Sequence, residues 1–128
     1  MNEYTLADIA VGFSQSFTKE ITTQMEDSFR CITGDENPLH KDDTYAASVS
    51  NGKFSRHVSF GMLTASLYST LAGMYIPGKY SLIHSFENIK FLQPVFAGKI
   101  PRFLIHQLLL YAGGSGLAFP TRENSRRL

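Results

Sequence analysis

Gly61-Met62-Leu63-Thr64-Ala65-Ser66-Leu67-Tyr68-Ser69-Thr70-Leu71-Ala72-Gly73 contains no charged residue. Its apolar positions, Met62, Leu63, Ala65, Leu67, Leu71 and Ala72, leave no charged side, and a helix of that kind is buried all round. In a chain of 128 residues, about one domain with a single core, something must wrap around such a helix. A curved sheet does so most economically. The expected class is therefore α+β, an antiparallel sheet around one long central helix over 61–73.

After that helix, Pro77-Gly78 marks a turn. Tyr80 to Phe91 reads as a long strand with His84, Glu87 and Lys90 as its polar members, and Gln93-Pro94-Val95-Phe96-Ala97-Gly98 bends the chain towards another. Before it, residues 4–12 lead to a turn marked by Asp8 and Gly12. From Phe13 to Ile21 apolar and polar residues roughly alternate, as in an antiparallel strand with one solvated face. Thr23 followed by Glu26 is a capping-box pattern that opens a helix through Thr33. Met25, Phe29 and Ile32 fall on one face of it and are expected to pack inward. Gly34 stands where a helix C-terminus wants a left-handed residue. Asp42 and Asp43 can cap a short helix through Tyr45-Ala46-Ala47, and residues 48–56 form a polar connection with an Asn-Gly turn. From Ile100 the pattern changes. Phe103 to Tyr111 does not alternate and fits a buried strand or a helix; Gly113-Gly114-Ser115-Gly116 reads as flexible, and Pro120 to Leu128 as disordered. Residues 1–98 carry 7 Lys/Arg and 10 Asp/Glu, whereas residues 99–128 carry 5 and 1.

Composition narrows the function classes. A formal net charge of +1 exerts no global pull on nucleic acid. Cys31 is the single cysteine, so no internal disulfide forms and a reducing cytoplasm fits best. The acidic start, with Glu3 and Asp8, is not that of a secretory signal. Phe103 to Ala112, the longest apolar stretch, falls short of the roughly 20 residues that span a bilayer. His57, His84 and His106 show no metal-type spacing, so no metal site is expected.

Chemistry concentrates in Thr33-Gly34-Asp35-Glu36-Asn37-Pro38-Leu39-His40. Pro38 restricts its own backbone and that of Asn37, so one tight turn can aim Asp35 and His40 into the same space. A carboxylate and an imidazole sharing a water can deprotonate it for attack and return a proton elsewhere. By spacing alone, Asp35 satisfying turn amides and Asn37 forming an Asx turn account for the stretch equally well. Gly61 is the second candidate. A helix N-terminus presents amides without helical acceptors, and a residue with no side chain lets a substrate oxygen approach its N–H. A glycine chosen for close packing is the equal alternative.

Together the pieces resemble the MaoC-like dehydratase family, the (R)-specific enoyl-CoA hydratases of the hotdog fold. The resemblance rests on Gly34-Asp35-Glu36-Asn37-Pro38-Leu39-His40 with Tyr45-Ala46, then Gly61-Met62-Leu63-Thr64-Ala65-Ser66-Leu67, then Pro77-Gly78, then Phe91-Leu92-Gln93-Pro94-Val95 and Gly98. These four blocks stand in the family's order across residues 5–98. The resemblance implies a hotdog domain that pairs into homodimers. It implies addition of water to a trans-2-enoyl thioester, giving a (R)-3-hydroxyacyl thioester, or the reverse, with acyl-CoA or an acyl-carrier-protein thioester as substrate and no cofactor. Asp35 and His40 match the catalytic pair. Asn37, which braces the turn, Gly61 as donor to the thioester carbonyl, and Ser69 match the substrate-binding positions.

Two departures accompany the resemblance. Phe60 stands where the family commonly has histidine. Gly98-Lys99 replaces a Gly-Asp pair, and the two long alternating strands that should follow are not legible in residues 99–128, so the C-terminal part of the sheet is expected to be incomplete. An uncovered helix implies marginal stability and impaired activity, since exposed apolar surface costs about 25 cal/mol per Å². A hotdog thioesterase and a non-catalytic acyl-thioester binding subunit are the competing functions.

Overall fold

The computed structural model describes residues 1–86 and 88–106. Glu87 and the segments Gly113–Gly116 and Pro120–Leu128, each the subject of an expectation above, lie outside the described residues, as does Phe103–Tyr111 beyond His106. Contacts divide the chain into two units.

Among the described residues, the first unit comprises Met1–Thr18, Leu67–Ile89 and residues 102–106. Its sheet has two antiparallel strands among the described residues, β1 (Ser14–Thr18) and β2 (Arg102–His106), in register from Ser14 opposite His106 to Thr18 opposite Arg102. β1 lies inside the strand expected over Phe13–Ile21. β2 decides the strand-or-helix ambiguity of its segment as far as His106. Ile9, Leu71 and Ile76 form a fully buried cluster, with Tyr4, Phe13, Phe17, Leu67, Tyr68 and Tyr75 packed on it. Phe17 stacks on Tyr75 at 5.4 Å between ring centroids. The N-terminal segment is tied down by backbone bonds from Asn2 N–H to Met74 O (2.9 Å) and from Tyr4 N–H to Pro77 O (3.0 Å). Gly78 makes this possible: its φ is 88°, and the place of a Cβ is taken by the Asn2 carbonyl.

The second unit comprises Lys19–Ser66 and Lys90–Pro101. Helix α1 (Thr23–Thr33) runs as its sequence predicts and ends on Gly34, left-handed at φ 70°, whose N–H bonds Arg30 O. The cap differs from expectation. Thr22 accepts the Met25 N–H through its hydroxyl, and Glu26 serves no capping box but turns inward. A 3₁₀ turn follows at Pro38–His40, then α2 (Asp43–Val49), capped by Asp42, which accepts the Tyr45 N–H. The Asn51-Gly52 turn forms with both residues at positive φ. Ile21 is fully buried and pairs with the 98–99 segment through Ile21 N–H to Lys99 O (2.9 Å) and Gly98 N–H to Ile21 O (2.7 Å).

Three expectations need correction. The stretch 61–73 is helical, but as α3 (Gly61–Ser66) in the second unit and as α4 (Tyr68–Thr70) with a π turn at Leu71–Tyr75 in the first. Thr64 and Ser66 donate their hydroxyls to the carbonyls of Gly61 and Leu63, and such local bonds compete with the helical ladder. Nor is the stretch buried all round, since Met62 is 56% exposed. Tyr80–Phe91 forms no strand among its described residues and leaves Leu82 91% exposed. A strand needs a ladder partner, and among the described residues β1 and β2 pair only with each other. Finally, the Met25-Phe29-Ile32 stripe is not core. It lines an open groove with Gln24, Ser28, Leu63 and Ser66, and Ile32 is 81% exposed.

These burials predict opposite results for two similar truncations. Leu71→Ala, at a fully buried site, should cost about 2–5 kcal/mol in urea unfolding, whereas Ile32→Ala should stay within about 0.5 kcal/mol. Equal costs would contradict this division of core and surface.

Candidate functional site

Asp35, Asn37, His40 and Gly61 all belong to the second unit. Gly34 ends α1 and releases the chain into the turn that carries the first three. There Asn37 N–H donates to Asp35 Oδ1 (3.0 Å), and Leu39 N–H donates to Asn37 Oδ1 (3.0 Å). Asn37 is thus the cap of the 3₁₀ turn Pro38–His40, and the structural part of the sequence reading is realised for both side chains. Asp35 nonetheless remains exposed. Its Oδ2 has no protein partner among the described residues, so one carboxylate oxygen braces the turn and the other faces outward.

His40 is held more tightly. Its Nδ1 lies 2.7 Å from Val58 O. A carbonyl only accepts, so Nδ1 carries a proton, and in the neutral form of the imidazole the unprotonated nitrogen is then Nε2. The Val58 N–H returns a bond to Leu39 O at 3.0 Å. One face of the imidazole packs on Phe60, 4.2 Å between centroids, and Phe60 packs in turn on Phe29 at 5.2 Å. The residue that departs from the family pattern is therefore a wall of the site, 3% exposed.

Gly61 follows Phe60 directly and opens α3, so its N–H has no acceptor within the helix. On the side where a Cβ would project, the Phe91 ring stands 3.1–3.2 Å away. The close-packing reason for a glycine holds here. Ser69 lies exposed in α4, in the first unit; it is not among the residues that the second unit brings together.

The sequence reading passed over an ionic cluster beside these residues. His57 Nδ1 lies 2.6 Å from Asp43 Oδ1, which also accepts the His57 backbone N–H at 2.7 Å. His57 Nε2 lies 3.3 Å from Glu26 Oε2. Glu26 is only 3% exposed, a carboxylate on an inward face of α1 one residue from Met25. Burial pulls the imidazole's pKa down, but the hydrogen bonds it donates to Asp43 and then to Glu26 outweigh it and leave the pKa above its ordinary 6.5. Hydrogen bonds from the His57 backbone and ring hold Asp43 below the usual carboxylate value. The signal in the sequence was Glu26 itself, which sits at i+4 from the helix cap, between Met25 and Phe29. A carboxylate there needs a cationic partner, and His57 is that partner.

The signs of these shifts fix a pH window. His57 is raised on folding, so its contribution is complete below about pH 6.5 and is lost as pH rises through the folded value. Asp43 is lowered, so its contribution is present above about pH 3.8 and is lost as pH falls through the folded value. The melting temperature should fall as pH rises through the neutral range. His57→Gln should remove that slope and destabilise by about 3 kcal/mol by leaving Glu26 buried without its cation. An unchanged slope in the variant would contradict the pairing.

Residues 7–106 match the MaoC like domain. The match runs past Gly98 and takes in β2. The chain is 37% identical over 90 residues to the (R)-specific enoyl-CoA hydratase of Aeromonas caviae, covering 70% of this chain and 64% of that one. It is 33% identical over 93 residues to the 3-hydroxybutyryl-CoA dehydratase of Methylorubrum extorquens, covering 73% and 57%. The chain thus spans less than two thirds of the length of these curated relatives. Among solved structures, the A. caviae (R)-hydratase involved in PHA biosynthesis superposes with a TM-score of 0.67 at 34% identity, covering 77% of this chain and 71% of that one. The unliganded R-hydratase from Pseudomonas aeruginosa gives 0.66 at 28% identity, covering 78% and 62%. The chain shares the hotdog fold of these hydratases, and it belongs to the MaoC-like dehydratase family.

Proposed function

We propose that this protein is a hydro-lyase that adds water to a trans-2-enoyl thioester to give a (R)-3-hydroxyacyl thioester, and catalyses the reverse. The observation that carries this reading is His40, locked by Val58 into the tautomer whose Nε2 is free to accept a proton. Asp35 Oδ2, outward-facing in the same turn, is the second acceptor. The two groups hold one water between them. As its oxygen attacks C3, its proton passes to the pair, and the electron pair of the C2–C3 double bond moves onto the thioester carbonyl. The Gly61 N–H donates to that enolate oxygen. A proton then returns to C2. All atoms of the water end in the product, so no oxidant, reductant or cofactor is needed.

Similarity to named hydratases and a dehydratase supports the reaction class. Asn37 braces the turn, and Ser69 matches a substrate-binding position of the family pattern. The substrate is acyl-CoA or an acyl-carrier-protein thioester. We further infer one hotdog domain over 1–128, with its antiparallel sheet incomplete beyond the family-like part, in a cytoplasmic homodimer. The exposed apolar side chains of Leu82, Phe86 and Leu92 support pairing, since such surface is costly in a monomer. Among the described residues no helix is long and apolar enough to cross a membrane.

Loss of the enoyl absorbance of crotonyl-CoA measures the reaction. Asp35→Asn and His40→Ala should each lower kcat by about 10²–10⁴-fold while leaving the far-UV circular dichroism unchanged. Release of free thiol without loss of that absorbance would make the protein a thioesterase. Binding of the thioester without either change would make it a non-catalytic subunit.

A further inference from the structure

The Glu26–His57–Asp43 cluster has no part in the proton transfers above, yet it ends one peptide away from them. His57 immediately precedes Val58, whose carbonyl holds His40 Nδ1. The bonds that join Val58 to the turn, Val58 N–H to Leu39 O and His40 Nδ1–H to Val58 O, lie wholly between the two segments. By themselves they let the pair move as one body. Its position is set from outside by Ser59 N–H to Val95 O (2.7 Å) on one side and by His57 on the other. His57 reaches two helices at once: Glu26 in α1 and Asp43 in the first turn of α2. Asp43 follows His40 by three residues and faces His57, while His40 faces Val58. The two contacts are successive rungs between the same pair of segments, and a slip at one displaces the other.

We propose that Glu26 and Asp43, acting through His57, are positioning residues for His40: they hold the His57–Val58 peptide where the Val58 carbonyl keeps His40 protonated at Nδ1 and open at Nε2. Arg56, a further charged side chain near the cluster, donates to Ala97 O at 3.3 Å and acts on Asp43 by charge alone. Asp43 makes the shorter contacts, 2.6 and 2.7 Å, whereas Glu26 is buried at 3.3 Å from Nε2 and its Oε1 has no partner among the described residues. Neither carboxylate is a catalytic residue. The importance of the Nδ1–H tautomer for turnover rests on the proposed hydratase reading, but the tautomer itself does not.

Glu26→Gln, which keeps the shape and removes the charge, tests this in the full-length protein with two readouts. The ring ¹⁵N spectrum of His40, assigned by loss of its signals in His40→Ala, should show a pyrrole-type Nδ1 and a pyridine-type Nε2 in the native protein, and a mixture of both tautomers in the variant. With crotonyl-CoA, kcat should fall about 10–100-fold, the scale of a small misplacement of a reacting group, with KM changed less than about twofold. A variant that melts at a lower temperature but keeps the native His40 spectrum and kcat has lost only a structural contact, and that result overturns the proposal. If native turnover is absent, the hydratase reading fails and the spectrum alone decides the positioning role. Asp43→Asn, at an exposed carboxylate, should move both readouts in the same direction. It decides the matter by itself if Glu26→Gln does not fold.

Discussion

The bond from His40 Nδ1 to the Val58 carbonyl is the interaction on which the site depends. A histidine in a turn samples two tautomers and several ring orientations. A carbonyl 2.7 Å from one nitrogen removes most of that freedom, and Phe60 against the ring face removes more. What remains is Nε2, the ring nitrogen that the Val58 carbonyl does not engage. Gly34 matters because it ends α1 one residue before Asp35. Phe60 matters because it closes the opposite wall and is followed at once by the amide of Gly61.

The same bond explains why an ionic cluster lies behind the site. Burying Glu26 is unfavourable unless it is paired, and the pairing with His57 draws α1, α2 and the 57–59 segment to a common point. A hydrophobic residue at position 26 would pack α1 at lower electrostatic cost. Only a directional pair also fixes the neighbouring peptide. On the proposed reading, local stability has been exchanged for the placement of one carbonyl.

Much of this was legible in the sequence, for reasons tied to particular residues. Gly34, Asp42 and the Asn51-Gly52 turn obey local backbone rules, and all three stand where they were expected. The turn over residues 33–40 was readable because Pro38 and Asn37 leave the backbone few options. The fold family was readable from four blocks in order, and the family match to residues 7–106 agrees. Other features depended on distant partners that no local pattern reports. Tyr80–Phe91 has the composition of a strand but no ladder among the described residues. The Met25-Phe29-Ile32 stripe has helical spacing and lines an open groove rather than a core. Glu26 matched a capping box and instead meets a histidine 31 residues away. Local chemistry made the cap plausible, and burial decided against it.

On the proposed reading, the water between Asp35 and His40 adds to C3 of the enoyl chain, not to the carbonyl carbon of the thioester. Turnover of crotonyl-CoA in H₂¹⁸O, with mass and chiral analysis of the product, tests this directly. The account predicts ¹⁸O in the C3 hydroxyl of an intact (R)-3-hydroxyacyl thioester. Label in a free carboxylate, accompanied by released thiol, would contradict it.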